Sequence, residues 1–318
     1  MTRRLAVAAF LSLAAFATSL AAQTVHKVQL PCESRNEELS PTGTQLAAFC
    51  KDHSLHLVAI SSGAERTVAG GDRRVNKAVF SLDGQWLAIG FTDGTVRVIP
   101  TTDDQTPAKE WKAGARRIDA LYFFPDGKHL FVGPVDSPGT VWDIAGEPAL
   151  LATLTVEFGG ILTCAVSPDG KLLVAAGDDT VLRWYDTATW NKKAENHDFL
   201  LETFALQFTP DGKFLLTGGA DSRITLLDAA TGKQVRQLTP DPGSYIVDIE
   251  MMGDKQRVAT VYLDDAGNKP PHALVWNLTT AKSVPLKMDA RPTCGGVASG
   301  KLWLCSTDGN TVTISQYE

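Results

Sequence analysis

The usual signatures of chemistry are missing from this chain. It has no Gly-x-Ser-x-Gly, no His-Glu-x-x-His, no phosphate-cradling glycine loop and no Cys-x-x-Cys-His haem attachment. Its 6 His are scattered without a repeated partner, and no close Cys/His pair has zinc-ligand spacing. His53 and His56 share a turn and a strand start, a placement more typical of surface than of ligands. The sequence thus carries no expectation of a catalytic set, a metal or a cofactor. Positive charge is also short, with 30 Lys and Arg against 36 Asp and Glu and a net charge of −6. That balance excludes the basic surface of a general nucleic-acid binder. No low-complexity linker divides the chain, which therefore reads as one domain.

Long apolar runs are confined to the first residues. Thr2-Arg3-Arg4 is a basic opening, Leu5 to Leu20 carries no charge, and Ser19-Leu20-Ala21 or Leu20-Ala21-Ala22 offers small residues for cleavage. This pattern predicts a secretory signal peptide over residues 1–22, its apolar stretch being short for a membrane anchor. No Cys stands at the cleavage point, which argues against a lipoprotein. The mature chain, 23–318, is expected in the periplasm or outside the cell, with no membrane span.

What the sequence does have is a recurring phrase. Ser-Pro-Asp-Gly-Lys-Leu-Leu at Ser167 to Leu173 returns as Thr-Pro-Asp-Gly-Lys-Phe-Leu at Thr209 to Leu215, with looser copies from Ser40, Ser81 and Phe124. Its glycines are Gly43, Gly84, Gly127, Gly170 and Gly212, a period in the low forties. Such a period means stacked or ringed small β-sheets. Each copy runs apolar strand, Pro-Asp-Gly turn, second strand, polar tight turn, third strand, as expected of an all-β protein. Worn copies at Met252-Gly253-Asp254-Lys255 and Ser299-Gly300-Lys301-Leu302 bring the count to seven units. Four residues before the Gly stand Leu39, Phe80, Phe123, Val166 and Phe208; three after it stand Leu46, Leu87, Leu130, Leu173 and Leu215. These columns are expected to face each other as buried rungs of a hairpin. The sixth unit departs from both columns, with Glu250 and Arg257.

These turns, together with Trp142-Asp143 and its degraded relatives Tyr185-Asp186 and Trp276-Asn277, make the chain resemble the WD40-like β-propeller family, YVTN-like and bacterial rather than eukaryotic, since the Gly-His dipeptide is absent. The resemblance implies a seven-bladed all-β propeller of four-stranded antiparallel blades, with protein or peptide contacts at its mouths and rims. The last unit ends after its third strand, Thr311 to Ser315, whereas Val25-His26-Lys27-Val28-Gln29-Leu30 precedes the first. The N-terminal strand is therefore expected to complete the last blade and close the ring, removing exposed strand edges.

The same frame places the candidate functional residues. Cys294 and Cys305 fall opposite each other in the last hairpin, to bridge or to pack as two thiols. Cys32 and Cys50 flank the first hairpin out of register, a second possible bridge, and Cys164 is expected as a small buried hydrophobe. Arg73-Arg74 and Arg116-Arg117 enter the inner strands of the second and third blades, so all four are expected at one mouth, gripping a carboxylate, a phosphate or an acidic partner loop. The long excursion from Leu263 to His272, with Asp264 and Asp265, is expected at the same mouth. Channel-side candidates are Asn36, Lys77, Asp119 and Asp248, which do not repeat as a set. The leading expectation is a monomeric, non-catalytic scaffold for a protein or peptide partner, acidic where it meets the arginines. The alternative is a propeller enzyme of lactonase-like or quinoprotein-like type with its active site in the channel.

Overall fold

The computed structural model describes residues 24–69, 73–102, 105–238, 244–263, 272–287, 292–298 and 301–317; the expected signal peptide, 1–22, lies outside them. The described residues form seven four-stranded sheets, each an antiparallel meander. The inner strands are Ser34–Leu39, Val75–Phe80, Ile118–Phe123, Ile161–Val166, Thr203–Phe208, Tyr245–Met251 and Pro292–Ala298. Each touches the next around the ring, and the first touches the seventh. The seven sheets are the blades, numbered here in the order of those inner strands.

The repeated phrase builds the turn between first and second strands. In the second blade, Ser81 Oγ accepts the Trp86 N–H at 2.9 Å and Asp83 Oδ1 accepts the Gln85 N–H at 3.0 Å. Gly84 then closes the turn onto the Ser81 carbonyl at 2.8 Å with φ of 70°. Only a residue without Cβ adopts that left-handed backbone without strain. Ser167–Asp169 and Thr209–Asp211 repeat the arrangement. The hydroxyl of Ser167 holds the Asp169 carboxyl below its usual range, and Thr209 does the same for Asp211.

The expected rungs pair as Leu39 with Leu46, Phe80 with Leu87, Phe123 with Leu130, Val166 with Leu173 and Phe208 with Leu215. The leucines after the turn are fully buried in the layers between blades. The sixth unit requires a correction. Its rung is Met251 opposite Val258, and the residue that closes its turn is Lys255, at φ 59° and bonded to the Met252 carbonyl. The turn there lies one residue later than in the frame that puts Glu250 and Arg257 in the columns, so Lys255 occupies the glycine position. Both columns then hold, with Met251 and Val258 buried.

The ring closes as expected. The strand Thr24–Gln29 pairs antiparallel with Thr311–Tyr317 and becomes the outermost strand of the seventh blade. Val28 and Val312 are buried where they meet. Two disulfides flank this seam. Cys294 lies opposite Cys305 in the seventh blade and is bonded to it, while Cys32, just past the closing strand, is bonded to Cys50 in the first. Cys164 is buried and free.

Candidate functional site

In an antiparallel meander all inner strands begin at the same mouth of the ring. Every one of the seven carries a register shift at its start, so one residue per blade is an extra, unpaired insertion. Such bulges re-aim a side chain that the regular pleat would send elsewhere. The bulge residues are Arg35, Asn76, Asp119, Leu162, Phe204, Val247 and Thr293, and all seven line the central channel, a cavity of about 1140 Å³. In the first six blades they stand eight residues before the left-handed turn residue, once Lys255 is taken for the sixth. The ring they form has two halves: charged or amide-bearing in blades one to three, apolar in blades four to six.

The polar half is a network spanning three blades. Arg35 donates to the Val75 carbonyl at 2.5 Å, and Asn76 donates to Asp119 at 2.9 Å and to the Ile118 carbonyl at 2.8 Å. Arg117 holds both Asp119 oxygens, at 2.6 and 2.8 Å. Burial, then the positive charge of Arg74, lowers the Arg35 pKa. In the apolar half Phe204 meets Tyr245 edge to face, with ring centroids 5.9 Å apart. Outside it, the loops entering blades four and five expose Phe158 (62%) and Leu200 (89%) at the same mouth. The loop bearing Phe158 is fixed from below: Asp178 accepts the Gly160 N–H at 2.7 Å and Asp179 accepts the Glu157 N–H at 2.9 Å. Asp179 is itself held in a buried two-point pair with Arg183, at 2.9 and 2.6 Å. Phe158 thus stands on a rigid support.

The two arginine pairs divide. Arg74 and Arg117 stand just before the inner strands at the channel mouth, both exposed, and Arg117 is partnered by Asp119. Arg73 turns outward instead, making two bonds to Glu110 and stacking 4.7 Å over the Phe91 ring. Arg116 pairs with Asp136 across the neighbouring turn at 2.9 Å. The cause is alternation: consecutive residues entering a strand point to opposite sides. Asp264 and Asp265 lie outside the described residues.

Asn36, Lys77, Asp119 and Asp248 all line the cavity, Asp119 in the bulge ring and the other three one residue further along their inner strands. The sequence reading missed Glu38 and Glu250, which join Asp248 there. The shift in the sixth frame hid the signal: counted from Lys255, Glu250 falls in the Glu38 column. Gly295 lies between them; a Cβ on it would stand 3.1 Å from Asp248 Oδ2. These carboxyls keep partial contact with the lumen while lying deep in the protein. Burial, offset by Lys77 and reinforced by Asp248, raises Glu38 to about 7. Burial, then Asp248, raises Glu250 to about 8, against the bond that Gln207 donates at 3.2 Å. Asp248 is raised as well, chiefly by burial.

Comparison with known proteins agrees with this architecture. The family model for the WD40 repeat (WD domain, G-beta repeat) matches residues 61–99, 149–186 and 196–228. The chain is 28% identical over 132 residues to Actin-interacting protein 1-2 of Arabidopsis thaliana, covering 38% of this chain and 20% of that protein. It is 29% identical over 136 residues to Guanine nucleotide-binding protein subunit beta-1 of Nicotiana tabacum, covering 39% and 35%. WD repeat-containing protein SL1-17 of Schistosoma mansoni is 26% identical over 152 residues, covering 47% and 49%. The chain thus spans about half or less of the length of these curated relatives. A chain in the crystal structure of a mitotic checkpoint complex superposes with a TM-score of 0.78 at 18% identity, over 100% of this chain and 99% of that one. The likeness at that identity is one of fold. Repeats, register and closure lead to one conclusion: the described residues form a seven-bladed β-propeller, three segments of which match the WD40 repeat.

Proposed function

We propose that this propeller is a non-catalytic scaffold that binds a protein partner at the mouth where the inner strands begin. The ring of bulge residues carries the reading. Seven side chains are turned toward one opening by the same local irregularity, apolar on one side and hydrogen-bonding or charged on the other. An apolar anchor of the partner packs against Leu162, Phe204 and the exposed Phe158 and Leu200. An acidic residue of the partner meets Arg74, which has no charge partner among the described residues. The names of the relatives support this class: one is an actin-interacting protein and one a subunit of a nucleotide-binding protein. Replacing Arg74 and Arg117 together by Glu should remove partners from a pull-down while the melting temperature holds. An unchanged set of partners would reject the site.

The scaffold is read as exported and monomeric. Two disulfides support an oxidising compartment, as does the leader that the sequence leads us to expect over residues 1–22. Among the described residues no helix is long and apolar enough to cross a membrane. Intact-mass analysis of the protein from its native host should give a chain beginning near residue 23, and a chain retaining Met1 to Ala22 would contradict export. The convergence of Glu38, Asp248 and Glu250 is the one observation favouring a channel enzyme. Lactone hydrolysis abolished by Asp248→Asn would establish that reading instead.

A further inference from the structure

Topology assembles a set of ligands that sequence spacing does not suggest. Cys32 follows the closing strand, Cys50 ends the second strand of blade one, and His56 lies in its third strand, Leu55–Ala59. One donor atom from each of the three lies within 4.8 Å of the others. Cys50 and His56 are buried, and Cys32 is half-buried. The imidazole is oriented on both sides. Its Nδ1 meets Glu65 Oε2 at 2.9 Å, and its Nε2 meets Ser54 Oγ at 2.9 Å, with Ser54 in turn donating to Asp52 at 2.6 Å. A carboxylate on the far nitrogen of a histidine is the arrangement that fixes ring and tautomer at metal sites.

We infer that reduction of the Cys32–Cys50 disulfide turns this corner of the first blade into a binding site for a thiophilic cation of the zinc class. Two thiolates and one imidazole are the donor set such ions prefer, with a fourth position left for water or an exogenous ligand. The step needs a dithiol reductant. Two electrons and two protons pass to the disulfide, giving two thiols, while the reductant becomes a disulfide. Cation binding then releases both thiol protons, leaving Cys32 and Cys50 as thiolates and His56 neutral. Nε2 turns from Ser54 to the ion, and Nδ1 keeps Glu65. The Cα atoms of Cys32 and Cys50 are 5.8 Å apart, within reach of a shared ion as well as of a bond. The same corner therefore exists in two linked forms, disulfide when oxidised and ion-bound when reduced.

The test uses the full mature chain, reduced anaerobically with a dithiol and titrated with cobalt(II) as the probe. The expected result is one cobalt per chain with a thiolate-to-cobalt charge-transfer band, and no band in the oxidised protein. Cys32→Ser should abolish the band, whereas Cys294→Ser should leave it. His56→Gln should weaken binding, and Glu65→Gln, a positioning change, should weaken it by about tenfold or more. Far-ultraviolet circular dichroism follows the fold throughout. A reduced, folded chain without the band would overturn the proposal. So would a band unaffected by Cys32→Ser, or unfolding on reduction that cobalt does not reverse.

Discussion

Val28 lies directly opposite Val312, so strands from the two ends of the chain share one sheet. The pair is buried in a layer that also holds Leu30, Leu46 and Cys305, joining the seventh blade to the first. Closure is therefore part of the core, and the ring has one seam that only this strand seals.

Deleting Thr24 to Gln29 should open that seam. The strand contributes six paired residues and a buried valine, and its loss exposes the edge of Thr311–Tyr317. We expect the melting temperature to fall by more than about 10 °C, with a rise in aggregation. A thermal scan with light scattering checks both; an unchanged melt would mean that the seam is held elsewhere.

The Asp179–Arg183 pair is the most deeply buried ion pair among those described. Asp179→Ala would leave the guanidinium with only Glu195, at 3.3 Å, for a charge partner. The cost should be about 3–5 kcal/mol, since one buried charge then stands largely uncompensated. Replacing both partners with apolar residues should cost much less. Chemical denaturation of the single and double variants separates the two outcomes.

Lys255 holds a backbone conformation that the other complete copies assign to glycine. Lys255→Gly should stabilise the protein by up to about 1 kcal/mol, the relief of left-handed strain exceeding the added chain entropy. The reverse substitution, Gly84→Lys, should destabilise, because the new Cβ would also stand 3.0 Å from the Thr42 side chain. Equilibrium unfolding of both variants checks the sign.

The channel carboxyls give stability a definite pH dependence. Glu38 and Glu250 ionise near 4.5 when unfolded but near 7 and 8 in the ring. Between those limits the folded state binds more protons than the unfolded one, so stability falls as pH rises from about 4.5 to 8. Glu250→Gln should therefore raise the melting temperature by a few degrees at pH 9 and leave it nearly unchanged at pH 4. A gain equal at both pH values would show that the carboxyl is not held protonated.

The parts legible in the sequence are those written in local backbone chemistry. Ser167, Asp169 and Gly170 each have a role within a few residues of one another, so the turn can be read directly and the blades counted from it. The closing strand was legible because Val25 to Leu30 alternates as a strand ahead of the first unit's own hairpin. The sixth turn was misread by one residue because Lys255 gives no sign of a left-handed backbone. The bulges were invisible for a similar reason: Arg35, Leu162 and Phe204 are ordinary strand residues, and only pairing shows that they are extra. The repeat frame put the arginines in the segments entering the second and third inner strands, but Glu110, which draws Arg73, comes from an outer strand and Asp136, which meets Arg116, from a turn. Spacing within one repeat does not reveal them.

The central claim is that the bulge-ring mouth is the binding surface. A photocrosslinking residue placed at Leu200 samples that mouth, and one at Leu82, in a Pro-Asp-Gly-type turn, samples the opposite one. The account predicts a specific adduct from Leu200, lost on introducing Phe204→Asp with Arg74→Glu, and none from Leu82. An adduct from Leu82 alone, or one from Leu200 indifferent to both substitutions, would contradict it.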